Sequence, residues 1–246
     1  MTNELTIARS ELILGGQRSG KSRRAELLAR DWLARSDQHK AVLIATAQAG
    51  DEEMRERIAQ HQRDRVKRVP GMQTVEEPLQ LVDAIQAHSR PDTLLVVDCL
   101  TLWLTNLMMP ACPHPSPLPE GEGTLSAPFP EGEGIREQSL VEGEGTRENP
   151  FPEGEEMNSS LSLWERAGVR ATGLPEQTTQ LQQALRNAVG PIVLVSNEIG
   201  LGVIPMGAEV RAFVDALGRL NQEVAQTCAC VTLMAAGLPL TLKEGA

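Results

Sequence analysis

The chain has 246 residues, of which 41% are hydrophobic, and a net charge of −10 at pH 7. That supports one α/β domain with a sizeable core and room for an insertion, and no run of about 18 apolar residues offers a membrane span. With no tyrosine, three Phe, three Trp and an acidic balance, stacking platforms for single-stranded nucleic acid are scarce and no nucleic-acid partner is expected.

Residues 1–10 show no basic segment followed by an apolar core, so no secretory signal is expected. Cys99, Cys112, Cys228 and Cys230 have no metal-ligand spacing. They read as reduced core thiols, and the expected location is the cytoplasm. Leu12-Ile13-Leu14 predicts a short buried strand that stops at Gly15-Gly16. Arg23 to Ala34 follows with Ala25, Leu27, Leu28 and Leu33 at helical spacing. Between them, Gly15, Gly16, Gln17, Arg18, Ser19, Gly20, Lys21 and Ser22 spell G-x-x-x-x-G-K-S, the phosphate-binding loop. Glycines let the backbone turn sharply and bring its N–H groups against phosphate oxygens. The helix that follows aims its positive dipole end at the same place. Lys21 is placed to reach the β- and γ-phosphates, and the Ser22 hydroxyl to ligate Mg²⁺. The expected ligand is a nucleoside triphosphate.

Lys40 to Thr46 reads as a second buried strand. Asp51 to Arg65 is dense in charge, with Met54, Ile58 and His61 on one helical face. Spacing alone leaves His61 either a solvated histidine or a catalytic one. Gln73 to Glu77 is a short strand stopped by Pro78, and Leu79 to Ala87 a helix. Thr93-Leu-Leu-Val-Val-Asp98 is a strong strand ending in a carboxylate. Such a strand, beside the phosphate loop, would present Asp98 to the metal; the alternative is that Asp98 caps the next helix, Leu100 to Met109.

From Pro110 to Thr172 the texture changes. Glu120, Glu131, Glu142 and Glu153 recur every eleven residues in Pro-Glu-Gly-Glu-Gly-like units. Glycine and proline in each unit exclude a helix. The stretch carries 12 acidic and 4 basic residues, a net of −8, which leaves the rest of the chain near −2. Its acidity marks a disordered low-complexity segment and not the working domain. Pro115 to Thr124 and Ser160 to Ala171 look like a translated copy of a dispersed bacterial DNA repeat. We read 110–172 as an in-frame surface-loop insertion; an acidic docking arm is the competing reading.

Pattern resumes at Pro175. Gln180 to Val189 predicts a helix, Ile192 to Ser196 a buried strand, and Ile199 to Pro205 a glycine-bearing loop. Ala208 to Thr227 predicts a long helix and Cys230 to Ala235 the last strand, with Cys228 and Cys230 on one strand face. Continuous apolar strands alternating with helices imply a parallel sheet covered on both faces.

The order of motifs resembles one family. The matching segments are residues 15–22, Ile44-Ala45-Thr46, Asp51 to His61, Thr74 to Glu76, Asp98 with Thr105-Asn106, Val195 to Pro205, and Arg211 through Gly218 to Asn221. Together they look like the bifunctional adenosylcobinamide kinase / adenosylcobinamide-phosphate guanylyltransferase family of cobalamin synthesis, over roughly 11–109 and 173–235. The Asn-Glu-x-Gly-x-Gly-x-x-Pro loop with the Glu-Met…Arg-Ile…His segment is the most diagnostic part.

The resemblance implies a P-loop NTPase fold of RecA-like type, a three-layer sandwich with a mostly parallel central sheet in a single domain. It implies phosphorylation of adenosylcobinamide with ATP or GTP, then transfer of GMP from GTP, through a histidine, to adenosylcobinamide phosphate. By position His61 is the guanylylated histidine, which suits a neutral imidazole near pH 7. Ile44, Ala45, Thr46, Gln62, Arg63, Asp64, Arg65, Glu76 and Asp98 would join the loop in the nucleotide site, with Ser22 and Asp98 on Mg²⁺. Asp98 stands where the family often has Glu, and Gln60 where it often has a second histidine. The family precedent is a homo-oligomer, a trimer, with small-molecule substrates. From other classes, a GTP-binding switch or a simple small-molecule kinase would use the same loop without a covalent adduct.

Overall fold

The computed structural model describes residues 6–48, 52–109 and 173–245. The acidic insertion, 110–172 with Cys112, lies outside the described residues. In chain order the elements are β1 (Ser10–Gly15), α1 (Lys21–Ala34), β2 (Lys40–Ala45), α2 (Glu52–Arg68), β3 (Gln73–Glu76), α3 (Leu81–His88), β4 (Thr93–Asp98), α4 (Leu100–Met108), α5 (Leu174–Asn187), β5 (Ile192–Val195), α6 (Ala208–Thr227), β6 (Cys230–Ala235) and β7 (Leu238–Lys243).

The strands form one sheet in the order β3-β2-β4-β5-β1-β6-β7. All neighbours are parallel except β6 and β7. Strand residues alternate between two cores, because successive side chains leave opposite faces. Leu12 and Leu14, with Val42, Ile44, Leu95, Val97 and Leu194, face α3, α4, α5 and α6. Ile13, Leu43, Val96, Val193 and Val195 face Ala25, Leu28 and Ala29 of α1. This is the expected three-layer α/β arrangement with a mostly parallel sheet. Full burial of each such Leu, Ile or Val stabilises by about 1.5–3 kcal/mol, so both layers hold the sheet firmly.

Gly15, Asp98 and Val195 end their strands on the same edge of the sheet. From β1 the chain crosses to β2 through α1 on one face. From β5 it crosses to β6 through α6 on the other face. A crevice outside the carboxyl ends of the strands, where the winding reverses, is where such sheets bind ligands.

Four features differ from the sequence-based reading. Strand β4 does not adjoin the strand of the phosphate loop: β5 lies between them. Helix α5 starts at Leu174, six residues before Gln180, with Pro175 in its first turn, where the missing N–H costs nothing. Strand β7 was not foreseen. Ala236 (φ 51°) and Gly237 (φ 81°) turn the chain back onto β6, the two positive φ values a tight hairpin needs. Cys228 also sits at the end of α6 and not on the strand with Cys230.

Candidate functional site

The loop between β1 and α1 is shaped by two glycines. Gly15 has φ 150°, and a Cβ there would lie 2.4 Å from the Met234 carbonyl oxygen and 2.6 Å from Ser19 Oγ. Gly20, with φ 101°, is the N-cap of α1 and offers no side-chain cap. The first-turn N–H groups of α1 therefore keep the free donors that make a helix N-terminus an anion site. No acidic residue occupies that turn. The Ser19 hydroxyl is buried without a partner among the described residues. An orphan donor in such a cradle fits a phosphate oxygen.

Lys21 folds back across the loop. Its Nζ donates to the Gly15 carbonyl at 2.9 Å and the Gly16 carbonyl at 2.6 Å. Burial lowers its pKa, while Asp98 and the Cys99 thiol oppose the shift. Ser22 Oγ donates to Asp98 Oδ1 at 3.5 Å. So Asp98 reaches the loop from one strand further away than expected. It does not cap α4, whose N-cap is Cys99. Burial pushes the Asp98 carboxyl up, with Arg65, then His61, pulling the other way. Burial also pushes the Cys99 thiol up to about 11 and the Cys228 thiol to about 12, so neither is a thiolate near neutrality.

Helix α2 brings His61 to this place. Arg68 Nη1 donates to Glu26 Oε2 on α1 at 2.7 Å. Buried Arg65 lies 3.9 Å from Glu26 and 3.8 Å from Asp98. These contacts fasten the C-terminal half of α2 to the phosphate-loop helix. One turn earlier, exposed His61 and Gln60 face the loop across a cleft of about 680 Å³, with Lys21, Ser22, Asp98 and Asn197 among its other walls. That volume lies within the roughly 300–1,000 Å³ of a small-molecule site.

The family model for cobinamide kinase / cobinamide phosphate guanyltransferase matches residues 11–242. The chain belongs to this family. The bifunctional adenosylcobalamin biosynthesis protein CobP of Pseudomonas aeruginosa is 38% identical over 95% of this chain and 96% of its own length. The CobU protein of Escherichia coli is 27% identical over 94% of this chain and 98% of its own. The flagellar accessory protein FlaH of Methanocaldococcus jannaschii, a solved structure, is 10% identical with a TM-score of 0.42, covering 97% of this chain and 80% of that one.

In this cobinamide kinase / guanyltransferase chain, the cleft gathers Gln17 to Ser22, His61 and Asp98. Gly15 and Gly16 shape its loop and hold Lys21. Other residues carried over from the resemblance lie elsewhere. Ile44 and Thr46 are fully buried. Thr46 Oγ1 accepts from Cys99 N at 2.9 Å, and its carbonyl accepts from Asn106 Nδ2 at 2.7 Å; the pair ties β2 to β4 and α4. Ala45 pairs with Glu76 at the far side of the sheet. Exposed Gln62 and Arg63 do not line the cleft. Asp64 and Arg65 stand behind it, in the ion-pair cluster with Arg68 and Glu26. The side chain of Met54, the third member of the expected helix face, lies outside the described residues.

Asn197 was not among the predicted site residues. Its N–H donates to Thr101 Oγ1 at 2.8 Å and its carbonyl accepts from Asn221 Nδ2 at 3.0 Å. Ser196 Oγ completes the network with Asn221 Oδ1 at 2.7 Å. The signal was present in the sequence: a polar Ser-Asn-Glu run directly after an apolar strand.

Proposed function

We propose that this chain carries out both reactions of its family in one cleft, with His61 as the residue that carries GMP. The family reactions are phosphorylation of adenosylcobinamide by ATP or GTP and guanylyl transfer to the resulting phosphate. The observation that carries the assignment to one cleft is that His61 and the phosphate loop face each other across it. A nucleotide whose phosphates lie on the loop would then present its α-phosphorus to an exposed imidazole.

In the charging step an imidazole nitrogen attacks the α-phosphorus of GTP and pyrophosphate leaves. In the transfer step an oxygen of adenosylcobinamide phosphate attacks that phosphorus and the P–N bond breaks. Lys21 and the α1 N–H groups stabilise the charge that builds on the phosphate oxygens. The donor set fits Mg²⁺, because the Ser22 hydroxyl and the Asp98 carboxylate meet at the loop mouth and the ion prefers oxygen ligands. When bound, it neutralises phosphate charge as a Lewis acid. The shorter Asp98 keeps a carboxylate where the family often has Glu.

In this reading segment 110–172 is an insertion without a catalytic role. The enzyme works in the cytoplasm as a homo-oligomer, a trimer by the family's precedent. No helix among the described residues is long and apolar enough to cross a membrane.

The test is incubation with Mg²⁺ and GTP labelled on the α-phosphate, for wild type and His61→Ala. Acid-labile, base-stable label on the wild type alone is the expected result. A folded, GTP-binding wild type that takes no label removes the transferase and leaves a kinase or a switch.

A further inference from the structure

A second cleft, of about 1270 Å³, opens on the other side of the loop that follows β5. It is larger than the roughly 300–1,000 Å³ of an ordinary small-molecule pocket. One wall is the loop tip, where Leu201, Val203 and Ile204 are 80%, 96% and 79% exposed. The facing wall belongs to α6 and sets Asp215, Arg219 and Gln222 among Val214 and Ala225. Apolar groups on one side and amide and charged groups on the other suit a large macrocycle fringed with amides.

The loop is held rigidly at both ends. Asn221 fixes the Asn197 carbonyl, and Arg211 Nη1 donates to the carbonyls of Pro205 at 2.9 Å and Met206 at 2.5 Å. The wall between the two clefts is thin. Asn197 lines the nucleotide cleft and the next residue, Glu198, lines the large one. The Glu198 N–H donates to the Gly15 carbonyl at 3.0 Å, the same carbonyl that accepts from Lys21 Nζ. Its carboxylate is steadied by one bond, from the Gly200 N–H to Oε1 at 2.9 Å. Among the described residues its second oxygen has no hydrogen-bond partner, which leaves it to accept another proton.

We propose that the large cleft seats the corrinoid acceptor and that Glu198, which lines it one residue beyond the nucleotide cleft's Asn197, is the general base of the kinase step. This rests on the family reading of the two reactions. As the acceptor hydroxyl oxygen bonds to the γ-phosphorus, its proton passes to Glu198. The bond from the γ-phosphorus to the bridging oxygen breaks, and the nucleoside diphosphate leaves with the electron pair. Only this step needs a base. The imidazole of His61 attacks as a neutral nucleophile, and the acceptor phosphate of the last step is already an anion.

The two half-reactions therefore separate in Glu198→Gln. The kinase kcat falls by roughly a hundredfold or more. Label on His61 from α-labelled GTP, and its passage to adenosylcobinamide phosphate supplied ready-made, stay within about twofold. A kinase rate like the wild type's overturns the base. So does equal loss of all three steps in a folded variant, which would make Glu198 a brace for the nucleotide loop.

The seat is tested by Val203→Asp, a change at a fully exposed position that folding tolerates. A charge beside the macrocycle must be desolvated, so the acceptor KM rises about tenfold while labelling from GTP is unchanged. If sedimentation shows instead an altered oligomeric state with an unchanged acceptor KM, the cleft is a contact between copies and the seat is overturned. A wild type that neither takes label nor phosphorylates adenosylcobinamide sinks the family reading itself, an outcome distinct from either variant's.

Discussion

Arg65 lies 3.8 Å from Asp98, and the pair joins helix α2 to the strand end that faces the phosphate loop. Arg65 is almost wholly buried, and its Nε has no hydrogen-bond partner among the described residues. Its charge is one of the two that hold the Asp98 carboxyl down against burial. The net direction is still upward. The folded state therefore binds a proton at Asp98 more tightly than the unfolded chain does. Stability from this group is present below the unfolded pKa of 3.8 and is lost as pH rises through the folded value. Asp98→Asn should thus be more resistant to urea than the wild type at pH 7, with the gain shrinking towards pH 4. It should also lose catalytic rate, the usual exchange of stability for function. Arg65→Met should lower stability by about 2 kcal/mol. That is less than the roughly 3–5 of a broken buried pair, because Glu26 keeps Arg68 at 2.7 Å.

In the proposed mechanism Lys21 serves the phosphate chemistry and contributes little to the fold. Its ammonium is buried and its pKa is lowered by that burial, so removing it relieves a desolvated charge. Lys21→Met should melt within about 1 kcal/mol of the wild type. It should lose roughly 10²–10³ in rate in both the kinase and the self-guanylylation assays. Loss of one reaction with retention of the other would mean that the two nucleotide phosphates are not read by the same loop.

Gly15 and Gly16 are adjacent and should respond differently. A Cβ on Gly15 meets the Met234 backbone oxygen at 2.4 Å, whereas one on Gly16 meets nothing within 4 Å. Gly15→Ala should cost about 3 kcal/mol in denaturant unfolding, the range of a strained backbone position. Gly16→Ala should unfold like the wild type and show its effect in nucleotide affinity alone. Thermal melts with and without GTP separate the two.

Removal of residues 112–171 should leave both activities within about threefold, since the charge pattern sets that stretch apart from the domain. The net charge of the shortened chain should fall near −2, which its isoelectric point reports. A soluble, well-folded deletion variant without activity would assign the acidic segment a working role.

The sequence by itself determined six of the seven strands among the described residues, the helices and the identity of the loop. These are local facts: an apolar run must be buried, a glycine pair must turn, and Gly-Lys-Ser after a strand opens a helix onto phosphate. It also carried the family, because Val195 to Pro205 and Asp51 to His61 are read residue by residue. The weakly patterned hairpin strand Leu238–Lys243 went unread, although Gly237 between two apolar stretches was its signal. Only the tertiary structure decided which residues meet. The insertion of β5 between β1 and β4 depends on the packing of whole strands, and it is what brings Asn197 into the cleft. The burial of Thr46 and Ile44, and the seating of Arg65 behind Asp98, likewise follow from strands and helices distant in sequence closing on one another. Spacing along the chain holds no information on such contacts, because their partners stand tens of residues apart and are chosen by the shape of the core.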